Sequence, residues 1–181
     1  YAEAHYNLGL ALTRSGRHEE AVEHYRIALR IEPNSPETLC NFGNALNELG
    51  RPLQAIELYE RALKLRPRYA RALNNLGSAL AAVGRTEAGA TRILEALDND
   101  PTYAEAHNGL GLIRYEQGDY EAAIACFRRA ADLGPDYAEP HNNLGNALSD
   151  LGQTGAAAAS FEEAIRIKPT YAAAYRNLGT L

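Results

Sequence analysis

Three series of residues run through this chain at one interval. Asn-Leu-Gly or a near relative ends at Gly9, Gly43, Gly77, Gly111, Gly145 and Gly179, a step of 34 residues each time. A second glycine recurs at Gly16, Gly50, Gly84, Gly118 and Gly152, and a proline at Pro33, Pro67, Pro101, Pro135 and Pro169. A fixed period of this length is the mark of an array of small supersecondary units, each of which buries its apolar face only against a neighbour. The repeats run 2–35, 36–69, 70–103, 104–137 and 138–171, with a partial sixth at 172–181, and read as a single array over 1–181.

Each repeat reads as two helices. Alanine and leucine supply 57 residues and valine and isoleucine only 10, a ratio that favours helix over sheet. In the first repeat a leading helix covers about Ala2 to Ser15, with Leu8, Ala11 and Leu12 on one face. Gly16 closes it, because glycine accepts the left-handed backbone of a helix end. A trailing helix follows from about Glu19 to Ile31, with Ala21, Tyr25, Ala28 and Leu29 as its stripe, and Pro33 stops it. Thr102 with Glu105, and Asp136 with Glu139, have the spacing of a side-chain cap with an acid three residues on.

Thirty-four residues, two helices, a small residue in the first and a proline after the second: the chain resembles the tetratricopeptide repeat family. Gly9, Gly43, Gly77, Gly111 and Gly145, with Ala28, Ala62, Ala96, Ala130 and Ala164, are its small positions; Tyr25, Tyr59, Ile93, Phe127 and Phe161 are the bulky partners beside them. The resemblance implies an all-α, right-handed α-solenoid superhelix whose leading helices line a concave face. It departs from the family pattern at Gly89, where other repeats carry alanine, and at Arg114, where they carry leucine. A mid-helix glycine costs about 1 kcal/mol relative to alanine, so the third repeat is expected to be the least rigid. Arg114 puts the packing of the fourth in question.

The leading helices carry 11 of the 13 asparagines, although asparagine is a poor interior helix residue. Asn7, Asn41, Asn75, Asn143 and Asn177 stand in register; Asn44, Asn74, Asn108, Asn142 and Asn146 are additional. An amide both donates and accepts, so such a ladder could clamp the main chain of an extended peptide, or could bond the neighbouring helix instead. These ten residues form the candidate peptide-binding groove. Asn-Asn-Leu-Gly at 74–77 and 142–145 makes the array similar to the repeat arrays of O-linked N-acetylglucosamine transferases and their bacterial relatives, in which the ladder holds protein substrates. No lysine lies on a leading helix, and Glu3, Glu37, Glu105 and Glu139 stand at their starts, so an acidic tail is disfavoured and a neutral or basic segment fits better.

The expected function is that of a non-catalytic protein- or peptide-binding scaffold. The alternatives are a substrate-recruiting arm of a larger glycosyltransferase-like enzyme, or a module that self-associates through uncapped ends at Tyr175 and Leu178. No catalytic group, metal site or cofactor is expected. His18 and His24 are six residues apart and point in different directions, and His107 and His141 occupy equivalent places one repeat apart, too far to share a metal. Cys40 faces the groove in this reading, and a bond to Cys126 is geometrically implausible. A net charge of −5 gives no bias towards nucleic acid, and no apolar run approaches the ~20 residues of a membrane span. The chain begins at Tyr1, has no methionine and shows no leader; it reads as a segment of a longer protein, with the cytoplasm favoured.

Overall fold

The computed structural model describes residues 1–181 and contains eleven α-helices and no strand. They form two compact units, Tyr1–Asn99 and Asp100–Leu181. The first holds α1 (Ala2–Arg14), α2 (His18–Ile31), α3 (Pro36–Glu48), α4 (Pro52–Leu65), α5 (Ala70–Ala82) and α6 (Thr86–Asn99). The second holds α7 (Ala104–Glu116), α8 (Tyr120–Leu133), α9 (Ala138–Asp150), α10 (Thr154–Ile167) and α11 (Ala172–Leu178). Odd-numbered helices are the leading ones. Each leading helix but α11 packs on its trailing partner, and inside a unit each trailing helix packs on the next leading helix. The fold class is the all-α solenoid of helical hairpins.

One turn recurs five times. Gly16 lies at φ 75°, Gly50 at 70°, Gly84 at 82°, Gly118 at 78° and Gly152 at 72°. In each turn the following amide reaches back to the last helical turn, as Arg17 N does to Leu12 O at 2.9 Å and Gln153 N to Leu148 O at 2.9 Å. This satisfies carbonyls that the helix end leaves free. The start signals work differently from expectation. Ser35 caps α3 through Thr38 N, but Tyr103 and Tyr137 occupy the cap positions of α7 and α9, with no side-chain cap. Thr102 and Asp136 stand one residue too early; Thr102 instead donates its amide and hydroxyl to Asp100.

The hairpins lock by inserting a bulky side chain opposite a glycine. Tyr25, Tyr59, Phe127 and Phe161 are essentially inaccessible, and a Cβ on Gly9, Gly43, Gly111 or Gly145 would lie within 2.7 Å of the facing ring. In the third hairpin Ile93 replaces the aromatic residue, and the backbones themselves meet: a Cβ on Gly77 would sit 2.7 Å from Gly89 O, and one on Gly89 2.5 Å from Gly77 O. Gly89 is therefore a close-approach position, a role the mid-helix cost considered in isolation does not reveal. Arg114 is accommodated half-exposed, donating to Gln117, while Ile113 is buried where other repeats have Ala45, Ala79 and Ala147. Two further expectations change. Leu8 is exposed, whereas Leu76 and Leu144 at its position are buried. Leu178 packs against the core around Phe161, leaving Tyr175 exposed.

Candidate functional site

Successive leading helices touch, α1 with α3 and α3 with α5 in the first unit and α7 with α9 and α9 with α11 in the second, whereas the trailing helices of a unit do not touch one another. The leading helices therefore line the inner side of each unit, where a stacked array presents its binding surface.

The asparagines on this side bond across helices. Asn41 Nδ2 donates to Tyr6 Oη at 3.0 Å, Asn143 to Asn108 Oδ1 at 3.0 Å, and Asn177 to Asn142 Oδ1 at 3.0 Å. Each step spans 35 residues, one repeat back and one residue more. A second kind of step spans 31 residues and reaches the next turn of the same helix: Asn75 donates to Asn44 Oδ1 at 2.7 Å and Asn177 to Asn146 Oδ1 at 2.9 Å. Asn44 Oδ1 also accepts from Tyr59 Oη at 2.8 Å. The register amides are thus spent largely on joining leading helices. Asn41, Asn74, Asn108 and Asn142 are buried, Asn44, Asn75, Asn143, Asn146 and Asn177 half-buried, and Asn7 exposed. Cys40 is fully buried rather than open to the inner face, and burial pushes its thiol pKa up, which keeps it un-ionised and a poor nucleophile.

Beside the ladder lie two cavities. One, of about 400 Å³, is lined by Thr13, Asn44, Asn47, Glu48, Tyr59, Asn75 and Ser78, together with His18. The other, of about 100 Å³, is lined by Tyr115, Asn146, Ser149, Asp150, Phe161, Asn177 and Thr180. Every residue of the second lies three repeats, 102 positions, beyond one of the first seven. The two are the same place in the repeat, built once in each unit. Tyr115 stands where Thr13 does and donates its hydroxyl to Asp150, which accounts for the smaller second cavity. His18 Nδ1 is enclosed without a partner beside the first.

Of the ten candidate residues, four line these cavities: Asn44, Asn75, Asn146 and Asn177. Of the other lining groups, the sequence singled out Tyr59 and Phe161, but as packing partners of the small positions. The usable signal is the polar set Asn44, Asn47 and Glu48, spaced i, i+3, i+4 on the face opposite the apolar stripe. No group of three or more His, Cys, Asp or Glu side chains is arranged to hold a metal ion. No helix is long and apolar enough to cross a membrane.

The largest pKa shifts in this chain fall on tyrosines. The bond to Asp150, with partial burial, pushes the Tyr115 phenol up to about 12, and burial does the same for Tyr137. A pKa raised above the unfolded value of about 10 stabilises the fold in full below pH 10 and loses that contribution as pH rises through the folded value. Urea midpoints are accordingly expected to fall between pH 10 and 12. Tyr115→Phe should make the decline in the second unit shallower, and an unchanged slope would refute the Asp150 assignment.

Comparison with known families matches residues 1–68 and 46–113 to models described as "Tetratricopeptide repeat", and residues 111–152 and 145–181 to one described as "TPR repeat". Together these matches span the chain. Comparison with curated protein sequences yields no match. Among solved structures, a thermophilic TPR protein of Thermus thermophilus superposes with a TM-score of 0.91 at 23% identity, over 99% of this chain and 98% of that one. MamA from Desulfovibrio magneticus RS-1 (its segment from residue 41 onward) gives 0.71 at 26% identity, over 94% and 97%. YrrB, described as a TPR protein with an unusual peptide-binding site, gives 0.65 at 19%, over 100% and 93%.

Proposed function

This chain belongs to the tetratricopeptide repeat family, and from that premise we propose that it is a non-catalytic scaffold that takes an extended segment of a partner protein along the inner face of its leading helices. The observation that carries the reading is the pair of equivalent cavities, 102 residues apart in sequence, each lined by amides, hydroxyls and one carboxylate. Such groups can satisfy the main chain of an extended segment without selecting its side chains. The asparagine ladder has a double duty here. Its cross-helix bonds hold Asn44, Asn75, Asn146 and Asn177 in fixed positions, and the remaining lone pairs and N–H groups of these half-buried amides serve the ligand. A preordered amide costs less to engage than a free one. The peptide-binding description of YrrB accords with this use of the fold.

The ladder residues are unsuitable for the decisive test, because removing Asn44 strands the buried Tyr59 hydroxyl and costs stability as well. Asn47 and Ser78 line the first cavity, are exposed and stand outside the ladder. Peptides selected from a random library on the wild-type protein are expected to lose about tenfold in affinity against an Asn47→Ala/Ser78→Ala double variant, equivalent to ~1.4 kcal/mol. The melting temperature should move by no more than about 1–2 °C. Unchanged affinity, or selected peptides that crosslink only to trailing helices, would refute the reading. A narrower version, an arm delivering substrates to a glycosyltransferase-like enzyme, rests on Asn-Asn-Leu-Gly at 74–77 and 142–145. Its test is whether the reading frame continues past Leu181 into a catalytic domain.

A further inference from the structure

One register position explains a cavity that the amide face does not. A tyrosine precedes the leading helix at Tyr69, Tyr103, Tyr137 and Tyr171, but the first junction carries Ser35 instead. Tyr69 is half-buried, with Cys40 and Glu37 beside it. The Arg66 guanidinium lies over its ring, 4.9 Å from the centroid, and that of Arg71 at 5.5 Å, while Arg66 also pairs with Glu37. In the second unit the set is repeated: Lys168 lies 5.1 Å from the Tyr171 centroid and 3.5 Å from a Glu139 carboxylate oxygen. In both cases a cation three residues before the tyrosine bridges that ring to the acid at the start of the preceding leading helix.

At the first junction the acid is present, as Glu3, but the cation position holds Glu32 and the tyrosine position holds Ser35. In their place is a cavity of about 300 Å³, lined by Glu3, Tyr6, Ala28, Glu32, Ser35 and Glu37. These are the counterparts of Glu37, Cys40, Ala62, Arg66, Tyr69 and Arg71, the residues that make up the filled junction. Glu37 already has Arg66; Glu3 and Glu32 have no ionic partner. The volume is at the small end for ligand sites and suits one ring rather than a whole cofactor.

We propose that this cavity is a socket for an extended segment of a partner protein in which a basic residue stands beside an aromatic one, the ring taking the place left by Ser35 and the cation bridging to Glu3 and Glu32. Two other junctions of the same chain, at Tyr69 and Tyr171, supply the template: a ring held from above by a cation, whose charge is answered by a carboxylate; before Tyr103 and Tyr137 the cation position holds Asp100 and Gly134. Glu32 in the cation position makes the socket acidic where Arg66 and Lys168 neutralise Glu37 and Glu139 from within the chain, and a cation for Glu3 and Glu32 is supplied from outside. The socket lies at the N-terminal turns of α1 and α3, whereas the amide cavity lies at the C-terminal halves of α1, α3 and α5. It therefore stands independently of the peptide-binding reading above.

The probe is a labelled synthetic peptide with the sequence of residues 64–72, which carries Arg66, Tyr69 and Arg71. Its control has serine for Tyr69 and glutamine for Arg66, so that one ring and one charge are removed. Fluorescence anisotropy with the intact chain should show at least about tenfold tighter binding of the probe than of the control, the equivalent of one ring and one charge contact. Filling the socket from within by Glu32→Arg/Ser35→Tyr should abolish the difference. Glu3→Gln/Glu32→Gln, which leaves packing and the Ser35 cap intact, should weaken probe binding about tenfold and flatten its salt dependence. The Asn47→Ala/Ser78→Ala variant should bind the probe as the wild type does, so the two proposals fail separately. Equal binding of probe and control, or full affinity in both glutamate variants, would overturn the socket. A dimer that the probe dissociates would replace the outside partner with a second copy of this chain.

Discussion

Gly89→Ala is expected to destabilise the first unit by about 2 kcal/mol, the opposite of what helix propensity predicts. Taken as a residue of α6, Gly89 costs about 1 kcal/mol relative to alanine, and its replacement should stabilise. In the folded chain a methyl group there would sit 2.5 Å from Gly77 O and 3.1 Å from Ala81 N. Both obstacles are backbone atoms inside a helix, so neither can step aside as a side-chain tip could. Relief requires α5 and α6 to move apart, which loosens the packing of Ile93. Overpacking of this kind costs about 1–3 kcal/mol or more, which outweighs the propensity gain. For a chain of this size the expected fall in melting temperature is about 4–8 °C. Gly155→Ala is the control: Gly155 lies in the first turn of α10, and its Cβ would meet nothing within 4 Å. There the same substitution should stabilise by about 0.4–1 kcal/mol. Thermal melts of both variants, with hydrogen exchange to locate the loss in α5 and α6, check the pair. A stabilised Gly89→Ala protein would mean that the helices part at little cost.

That position marks the boundary of what the sequence discloses. The three 34-residue series report where helices end and which residues face inward, because glycine turns, post-helical prolines and apolar stripes are local properties of the backbone. The hairpin register followed directly, down to Tyr25 opposite Gly9 and Phe161 opposite Gly145. The meaning of Gly89 depends on the facing residue of another helix, and one repeat read alone makes it look like a defect. The asparagines pose the same problem at longer range. Their register places Asn41, Asn75 and Asn143 on one helix face, but whether an amide there meets a ligand or a neighbour depends on the distance between leading helices. At that distance Tyr6 Oη, Asn44 Oδ1 and Asn108 Oδ1 become acceptors. Only after those bonds are made does the pair of cavities stand out as the polar part of the face left open. Comparing equivalent positions across repeats recovers more than reading each repeat in turn. The missing tyrosine at Ser35 is visible in the sequence as soon as the column Tyr69, Tyr103, Tyr137 and Tyr171 is written beside it.

Phe127→Ala should be the most damaging single change in the second unit, at about 3–5 kcal/mol. Phe127 is fully buried in α8 with its ring against Gly111. The third hairpin nevertheless does without an aromatic residue, since Ile93 stands at the same place. What differs is the residue one turn earlier: Gly89 accompanies Ile93, whereas Ala123 accompanies Phe127, Ala55 accompanies Tyr59 and Ala157 accompanies Phe161. Alanine with a ring spaces the two helices apart; glycine with isoleucine lets their backbones meet. The two positions should therefore be coupled. Phe127→Ile alone leaves a cavity, and Ala123→Gly alone loses helix propensity and opens a gap, so each is expected to destabilise. Together they reproduce the third hairpin, and the double variant should be more stable than the sum of the singles by at least about 1 kcal/mol, within the range seen for residues in contact. A double-mutant cycle by urea denaturation measures this. Strict additivity would show that helix spacing in these hairpins is set elsewhere, by the turn glycines or by the neighbouring repeats.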